Sequence, residues 1–225
     1  MTSDRYRQRI PRPSEVRAGG PPPWSEAAPP APNPTIDEIA EVLDPVESLA
    51  IVPAAVAAVL LPLIERPEGL CLLLIRRATS LSSEPGLIAF PGGRRDHDEP
   101  ILVTALRETE EEIGLDRRLV TVLGALPAVV RGIDGMSVAP FVGIVAGEPT
   151  LVPNPDEVET VIEVPLAAFF GGGVAWEEIW AHRGTERSVH FFADDSLLGD
   201  DLIWGLSARI LWDLLHRIWV ATVAA

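Results

Sequence analysis

Three glutamates stand close together beside an arginine in the middle of the chain. On a helix, the spacing of Glu108, Glu111 and Glu112 places their carboxylates on one arc of about 100°. Like charges at this spacing destabilise an isolated helix, so the cluster requires a reason. A hard divalent cation such as Mg²⁺ or Mn²⁺ would supply one, because it prefers oxygen ligands and shares them with substrate phosphates. The alternative is a solvated acidic helix face.

The local sequence predicts the helix that would carry these glutamates. Pro100 fits the first turn of a helix, and Gly114 provides a stop after the last apolar position. The two signals predict a helix of roughly fourteen residues. We expect one narrow apolar stripe of this helix to be buried, formed by Leu102, Leu106, Thr109 and Ile113. The glutamates would lie well away from this stripe.

The same stretch resembles the Nudix box at every fixed position. The matching residues are Gly93, Glu99, Arg107, Glu108, Glu111, Glu112, Gly114 and Leu115. The resemblance implies an α/β fold, a Nudix-type α/β/α sandwich with a mixed β-sheet flanked by helices. It also implies a metal-dependent diphosphatase that takes a small-molecule nucleotide as its substrate.

The resemblance also implies a role for each charged residue of the box. Glu111 and Glu112 are expected to be the principal metal ligands for Mg²⁺ or Mn²⁺, and Glu108 a further ligand or a contact to metal-bound water. Arg107 would orient the glutamates, and Glu99 would tie the loop to the helix.

The flanking sequence is similar to that of coenzyme A pyrophosphatases. The similarity rests on residues 73–78, on Gly86 with Phe90–Gly93, and on residues 203–211. It implies cleavage of CoA or acyl-CoA into (acyl-)phosphopantetheine and adenosine 3′,5′-bisphosphate.

Three positions depart from that subfamily. Ile75 replaces a threonine, Ser82 replaces a basic residue, and Glu84 stands near the usual histidine. The absence of a basic residue at Ser82 would weaken recognition of the CoA 3′-phosphate. The negative charge of Glu84 would repel this phosphate. ADP-ribose, dinucleotides and dNTPs therefore remain alternative substrates, and a non-catalytic nucleotide sensor is a second alternative.

Four further positions are candidates for the site. Glu157 follows a Pro-Asn-Pro-Asp turn and is a candidate general base, against the alternative of a solvated strand start. Arg77 would clamp a phosphate or form a strand-end ion pair. The backbone at Gly92 and Gly93 would approach metal or phosphate closely. His97 is either a metal or phosphate contact or an exposed loop histidine.

Composition narrows the class of protein. The chain has 225 residues, 47% of them hydrophobic, and a formal net charge of −15. All 18 basic residues are arginines, and the strong acidic balance disfavours nucleic acid as a partner. Cys71 lies in an apolar run and is expected to be a buried hydrophobe rather than a reactive thiol. No apolar run is long enough for a membrane span and the start lacks a secretory signal, so no membrane partner and a cytoplasmic location are expected.

The chain divides into two predicted parts. Residues 1–35 are rich in Pro and Arg without apolar periodicity, so we expect a flexible arm there, with an organellar transit peptide as the alternative. Residues 36–225 would form the Nudix domain, beginning with a short helix capped by Thr35. Trp204, Trp212 and Trp219 are assigned to core or dimer packing rather than ligand stacking, which leaves a homodimer open.

Overall fold

The fold is built around a mixed sheet covered by helices on both faces. A computed structural model of the chain describes residues 6–8, 10–26, 33–50, 55–131, 135–182 and 184–224. Strands and helices are numbered in chain order. The large sheet contains β2 (Ala55–Arg66), β3 (Gly69–Arg77), β4 (Ile88–Ala89), β5 (Gly92–Arg94), β6 (Val120–Ala125), β7 (Val129–Val130), β8 (Ser137–Val145) and β9 (Val158–Pro165).

The long strand β2 is the centre of this sheet. It runs parallel to β8 and antiparallel to β3 and β5. Its side chains are buried along most of its length, as expected for a strand covered on both faces. Strand β3 pairs with β2 only through its first residues. Its other edge pairs with β9 from Cys71 to Arg77, and its far end also pairs with β4. Residues 88–94 therefore bridge the opening between β2 and the far end of β3.

Helices cover the two faces of the sheet. They are α1 (Ile36–Val42), α2 (Glu47–Ala50), α3 (Ile101–Ile113) and α4 (Gly205–Ala224). On one face, Ala105 of α3 packs with Leu60 and Phe141. On the other face, Ile39 of α1 and Leu214 of α4 join the main core. The predicted α/β fold, a mixed sheet between helices, is confirmed.

A second sheet lies beside the first and was not separated from it in the sequence analysis. It contains β1 (Glu15–Ala18), β10 (Ala175–His182), β11 (Thr185–Phe192) and β12 (Ile203–Trp204). All its pairings are antiparallel, in the order β1, β10, β11, β12. Strand β11 is an inner strand of this sheet, between β10 and β12.

The prediction of a flexible arm does not hold for the described part of residues 1–35. Strand β1 pairs with β10, and the Trp24 side chain is only 1% exposed. The Trp24 ring lies 4.9 Å from the Trp212 ring and 5.8 Å from the Phe170 ring. The segment is ordered by apolar contacts to residues far away in sequence, which local periodicity does not register. Residues 1–5, 9 and 27–32 of the predicted arm lie outside the described residues.

Several local predictions match the structure. Thr35 caps α1 in a capping box with Glu38, and Gly114 ends α3 in the left-handed conformation that favours glycine. Cys71 is buried, and burial raises the pKa of its thiol to about 11, so the expectation of a buried hydrophobe is confirmed. Among the described residues, no helix combines the length and the apolar character that a membrane span requires.

Candidate active site

The glutamates of α3 do not share one environment. Glu111 is 55% exposed and Glu108 is 17% exposed, whereas Glu112 is only 2% exposed. The expectation that all three lie well away from the buried face is wrong for Glu112. The buried face is centred on Thr104, Ala105, Thr109, Glu112 and Ile113, while Leu102 and Leu106 are only partly buried.

The carboxyl group of Glu112 is buried, and its polar contacts offset only part of the cost of burying its charge. Its Oε2 accepts a hydrogen bond from the backbone N–H of Gly92 at 2.8 Å, and its Oε1 lies 3.9 Å from Arg77 Nη1. Burial raises the pKa of Glu112 to about 8, although the Gly92 hydrogen bond and the charge of Arg77 lower it. A cation beside this carboxyl group would favour its ionised form.

The two glycines before the box are required by close packing. Gly92 has φ of 151°, and a Cβ there would overlap the carbonyl oxygen of Ala58. A Cβ on Gly93 would overlap the carboxylate of Glu108. Gly92 therefore lies against β2 and Gly93 lies against Glu108, so the backbone of β5 fits between β2 and α3.

Arg107 is the centre of an ion-pair network that joins the loop to the helix. Its Nη2 donates to Glu99 Oε1 at 2.9 Å and to the carbonyl of Arg94 at 3.2 Å. Its Nη1 lies 2.8 Å from Glu111 Oε2 and 3.0 Å from Glu108 Oε1. These contacts are the ones expected if Arg107 orients the glutamates.

Glu99 fastens the loop to α3 through its other contacts. Its Oε1 also accepts hydrogen bonds from the backbone of Asp96 and from Thr104 Oγ1. The hydrogen bonds from Arg107 are the largest cause that lowers the pKa of Glu99 to about 2. The Glu99 carboxylate is therefore ionised and fully engaged in the loop.

Glu157 is brought to the same cluster from the loop before β9. The backbone of Asn154 donates to the carbonyl of Glu112 at 2.8 Å, which ties this loop to α3. Burial is the largest cause of the raised pKa of both Glu108 and Glu112. The negative charge of Glu157 raises both pKa values further. The carboxylate of Glu157 thus lies within electrostatic reach of both box glutamates.

The donor set fits a hard divalent cation in its chemistry. Glu108, Glu111, Glu112 and Glu157 provide only oxygen atoms, and mutual repulsion contributes to the raised pKa values of Glu108 and Glu112. A bound cation would relieve that repulsion. In the described part of the chain, no three such side chains already surround one point, since Glu111 is held by Arg107.

Arg77 lies at the end of β3 and faces a cavity of about 840 Å³. Its contact to Glu112 matches the strand-end ion pair, whereas its Nε is buried without a hydrogen-bond partner and is available to a ligand. Gly92 and Gly93 line the same cavity, so the glutamate cluster and the cavity share a boundary. His97 is an exposed loop residue outside this lining, as one of its two alternatives predicted.

The cavity also contains residues that sequence reasoning missed. Four more arginines line it: Arg94, Arg131, Arg187 and Arg209. Trp180 from β10 and Trp204 from β12 also line it. Trp204 and Arg209 lie within residues 203–211, which resemble the subfamily, but that resemblance gave neither of them a role at the site. The one available signal was the presence of arginines in a strongly acidic chain.

The three departures from the subfamily have different surroundings. Ile75 is buried among Ile113, Leu115 and Val158, so it serves the core. Ser82 is exposed. Glu84 lines the cavity, but Arg131 Nη1 lies 3.1 Å from its carboxylate, which offsets the expected repulsion of a phosphate.

Comparison with known proteins places this arrangement in a family. The model of the NUDIX domain matches residues 54–190, which include the box, β2 and the loop of Glu157. The chain belongs to the Nudix family. It is 39% identical over 165 residues to a protein of Photorhabdus laumondii named Uncharacterized Nudix hydrolase NudL, covering 73% of this chain and 85% of that protein. It is 41% identical over 162 residues to Nudix hydrolase 22, chloroplastic, of Arabidopsis thaliana, covering 69% of this chain and 52% of that one.

A solved structure supports the Nudix fold. A MutT/nudix family protein from Enterococcus faecalis superposes with a TM-score of 0.51 at 19% identity, covering 74% of this chain and 62% of that one. The expectation of an enzyme is confirmed: the chain is a Nudix hydrolase, a class that acts on pyrophosphate bonds. Nudix hydrolases generally use divalent metal ions such as Mg²⁺ or Mn²⁺.

Proposed function

We propose that this Nudix hydrolase cleaves the diphosphate linkage of a nucleoside diphosphate derivative, with CoA or acyl-CoA as the substrate. The products would be (acyl-)phosphopantetheine and adenosine 3′,5′-bisphosphate. The observation that carries the proposal is the shared boundary between the glutamate cluster of α3 and a large arginine-lined cavity. The cavity would bind the substrate, and the cluster would act on the linkage at its edge.

Each group of the site has a task in this reaction. Glu108, Glu111 and Glu112 would hold the divalent cation, which would neutralise phosphate oxygens and lower the pKa of the attacking water. The water oxygen forms a bond to one phosphorus while the bond from that phosphorus to the bridging oxygen breaks. Glu157 would accept the proton of the water, and Arg77 would face the phosphate oxygens from the end of β3.

The preference for CoA rests on residues 73–78, on the segment ending in Gly92 and Gly93, and on the start of α4. ADP-ribose, a dinucleotide or a dNTP is the second candidate, because Ser82 offers no cation where the subfamily has one. The pairing of Glu84 with Arg131 reduces the weight of the Glu84 departure.

A substrate panel with matched variants tests the proposal. The protein is incubated with Mg²⁺ or Mn²⁺ and CoA, acetyl-CoA, ADP-ribose, NADH or a dNTP, and the products are identified by mass. We expect adenosine 3′,5′-bisphosphate from CoA, and a loss of ~100-fold or more in rate for Glu111→Gln. Glu110→Gln is the control, because Glu110 lies on the same helix but pairs with Arg117 outside the cluster. Products from ADP-ribose alone would contradict the CoA assignment.

The role of Glu157 has its own test. Glu157→Gln keeps the shape of the side chain but removes the base, so we expect kcat to fall by ~100-fold with little change in KM. An unchanged kcat would exclude Glu157 as the general base.

A further inference from the structure

Three arginines that line the cavity, Arg94, Arg187 and Arg209, lie at ion-pair distance from no carboxylate of the described residues. Arg94 belongs to β5 beside the box, whereas Arg187 of β11 and Arg209 of α4 lie outside the box. Other arginines of this chain are paired, for example Arg107 with Glu99 and Arg131 with Glu84. Unpaired guanidinium groups facing a cavity in a chain of net charge −15 indicate a site for an anion.

Strand β11 and helix α4 each bring one of the two arginines outside the box to the cavity lining. The Arg187 guanidinium lies 5.7 Å from the centre of the Trp180 ring, and the Trp180 and Trp204 rings are 6.3 Å apart. Trp204 directly precedes α4, whose second turn carries Arg209. We call these four residues the distal wall, because all four line the cavity and all lie outside the Nudix box.

Unpartnered polar atoms mark the same cavity. In the described part of the chain, the buried side-chain atoms without a hydrogen-bond partner are Trp24 Nε1, Arg77 Nε, His190 Nδ1 and Trp204 Nε1. Arg77, His190 and Trp204 all line this cavity. Buried polar atoms in native proteins are nearly always hydrogen-bonded, so such a concentration points to a ligand. The N–H groups of Arg77 and Trp204 require a ligand with acceptor oxygens.

We infer that the distal wall binds a phosphate monoester of the substrate, separate from the diphosphate that is hydrolysed, through Arg187 and Arg209. The indole N–H of Trp204 would donate to an oxygen of the same half of the substrate. This inference rests on the proposed function and names the residues that would select among its substrates. Arg187 and Arg209 lie outside the box and the signature that precedes it. They would supply the cation that is missing at Ser82.

Binding of two nucleotides that differ by one phosphate tests the inference without turnover. Calorimetric titration compares adenosine 3′,5′-bisphosphate with adenosine 5′-monophosphate in the wild type, Arg187→Gln, Arg209→Gln and the double variant. We expect the wild type to prefer the bisphosphate by at least ~10-fold. Each substitution should weaken bisphosphate binding by ~10-fold and leave monophosphate binding unchanged. Arg118→Gln is the control, since Arg118 is exposed, pairs with Asp116 and lies outside the cavity lining.

Further outcomes separate charge recognition from general damage. The double Arg→Lys variant should recover part of the preference, because lysine retains the charge without the planar fork. Equal binding of both nucleotides by the wild type, or an equal loss for both in the variants, would overturn the inference. If the preference behaves as expected but no substrate of the panel is hydrolysed, only the proposed function fails. If CoA is hydrolysed and the double variant keeps the preference, only the distal wall fails.

Discussion

The two sides of the site, the Arg107 network on α3 and the distal wall, differ in how completely their polar groups are satisfied. On the side of α3, Arg107 alone contacts Glu99, Glu108, Glu111 and the carbonyl of Arg94. On the distal wall, Arg187 and Arg209 lack a carboxylate among the described residues, and Trp204 Nε1 is buried without a partner. The first side maintains its own geometry, whereas the second leaves polar groups for a ligand. Substitutions should therefore affect structure and rate on the first side, and selectivity on the second.

Arg107→Gln should have the largest effect, because it removes the centre of the satisfied side. We expect the rate of metal-dependent hydrolysis to fall by about 10- to 100-fold, since Glu111 and Glu108 lose the group that positions them. Glu99 should also lose most of its stabilisation. Its pKa of about 2 means that it stabilises the fold fully above its ordinary value of about 4.5, and that this stabilisation is lost as the pH falls from about 4.5 to about 2.

Acid unfolding of Arg107→Gln, followed by circular dichroism, provides the measurement. The variant should begin to unfold at a higher pH than the wild type. Arg117→Gln is the matched control, because its partner Glu110 lies on α3 outside the network. An acid-unfolding midpoint equal to that of the wild type would show that Glu99 does not depend on Arg107.

Gln8→Ala should destabilise the connection between the N-terminal segment and the cavity. The Gln8 side chain is 4% exposed; its Nε2 donates to Gly86 O and Asp201 Oδ1, and its Oε1 accepts from Leu202 N. Truncation leaves buried backbone groups unpaired, so we expect the free energy of unfolding to fall by about 2 kcal/mol in urea titrations. Arg7→Ala is the control, because the Arg7 side chain is exposed. A loss of less than about 0.5 kcal/mol would mean that water replaces these contacts.

His190→Gln should have the smallest effect and should appear only in the pH dependence. Burial is the largest cause that lowers the pKa of His190 from about 6.5 to about 4. Between these two pH values the unfolded chain therefore binds more protons than the folded chain. The wild type should therefore lose stability as the pH falls through that range. Allowing for partial exposure, we expect about 1 kcal/mol between pH 7 and pH 5.

The glutamine variant should lack this slope, because glutamine does not titrate. Urea midpoints at pH 7 and pH 5 provide the comparison. His97→Gln should keep the slope of the wild type, since His97 is an exposed loop residue. A steep slope that persists in His190→Gln would assign the proton uptake to another group.

The sequence determined those features that depend on neighbouring residues. Pro100 and Gly114 placed the ends of α3 because capping and left-handed geometry are local properties. Thr35 placed the start of α1 for the same reason. The contacts of Arg107 and Glu99 match the roles that the resemblance to the Nudix box implied for them.

Only the tertiary structure decided what depends on residues far apart in the chain. Glu112 is buried because β5 packs against α3, and the helical pattern alone placed it among exposed carboxylates. Trp24 is ordered by Trp212, and Gln8 by Asp201, although the local composition of residues 1–35 predicts disorder. The distal wall joins β10, β11, β12 and α4, so no spacing along the sequence reveals it. Local chemistry can be recognised from residue types and spacing, but burial and pairing arise from long-range packing that a single sequence does not display.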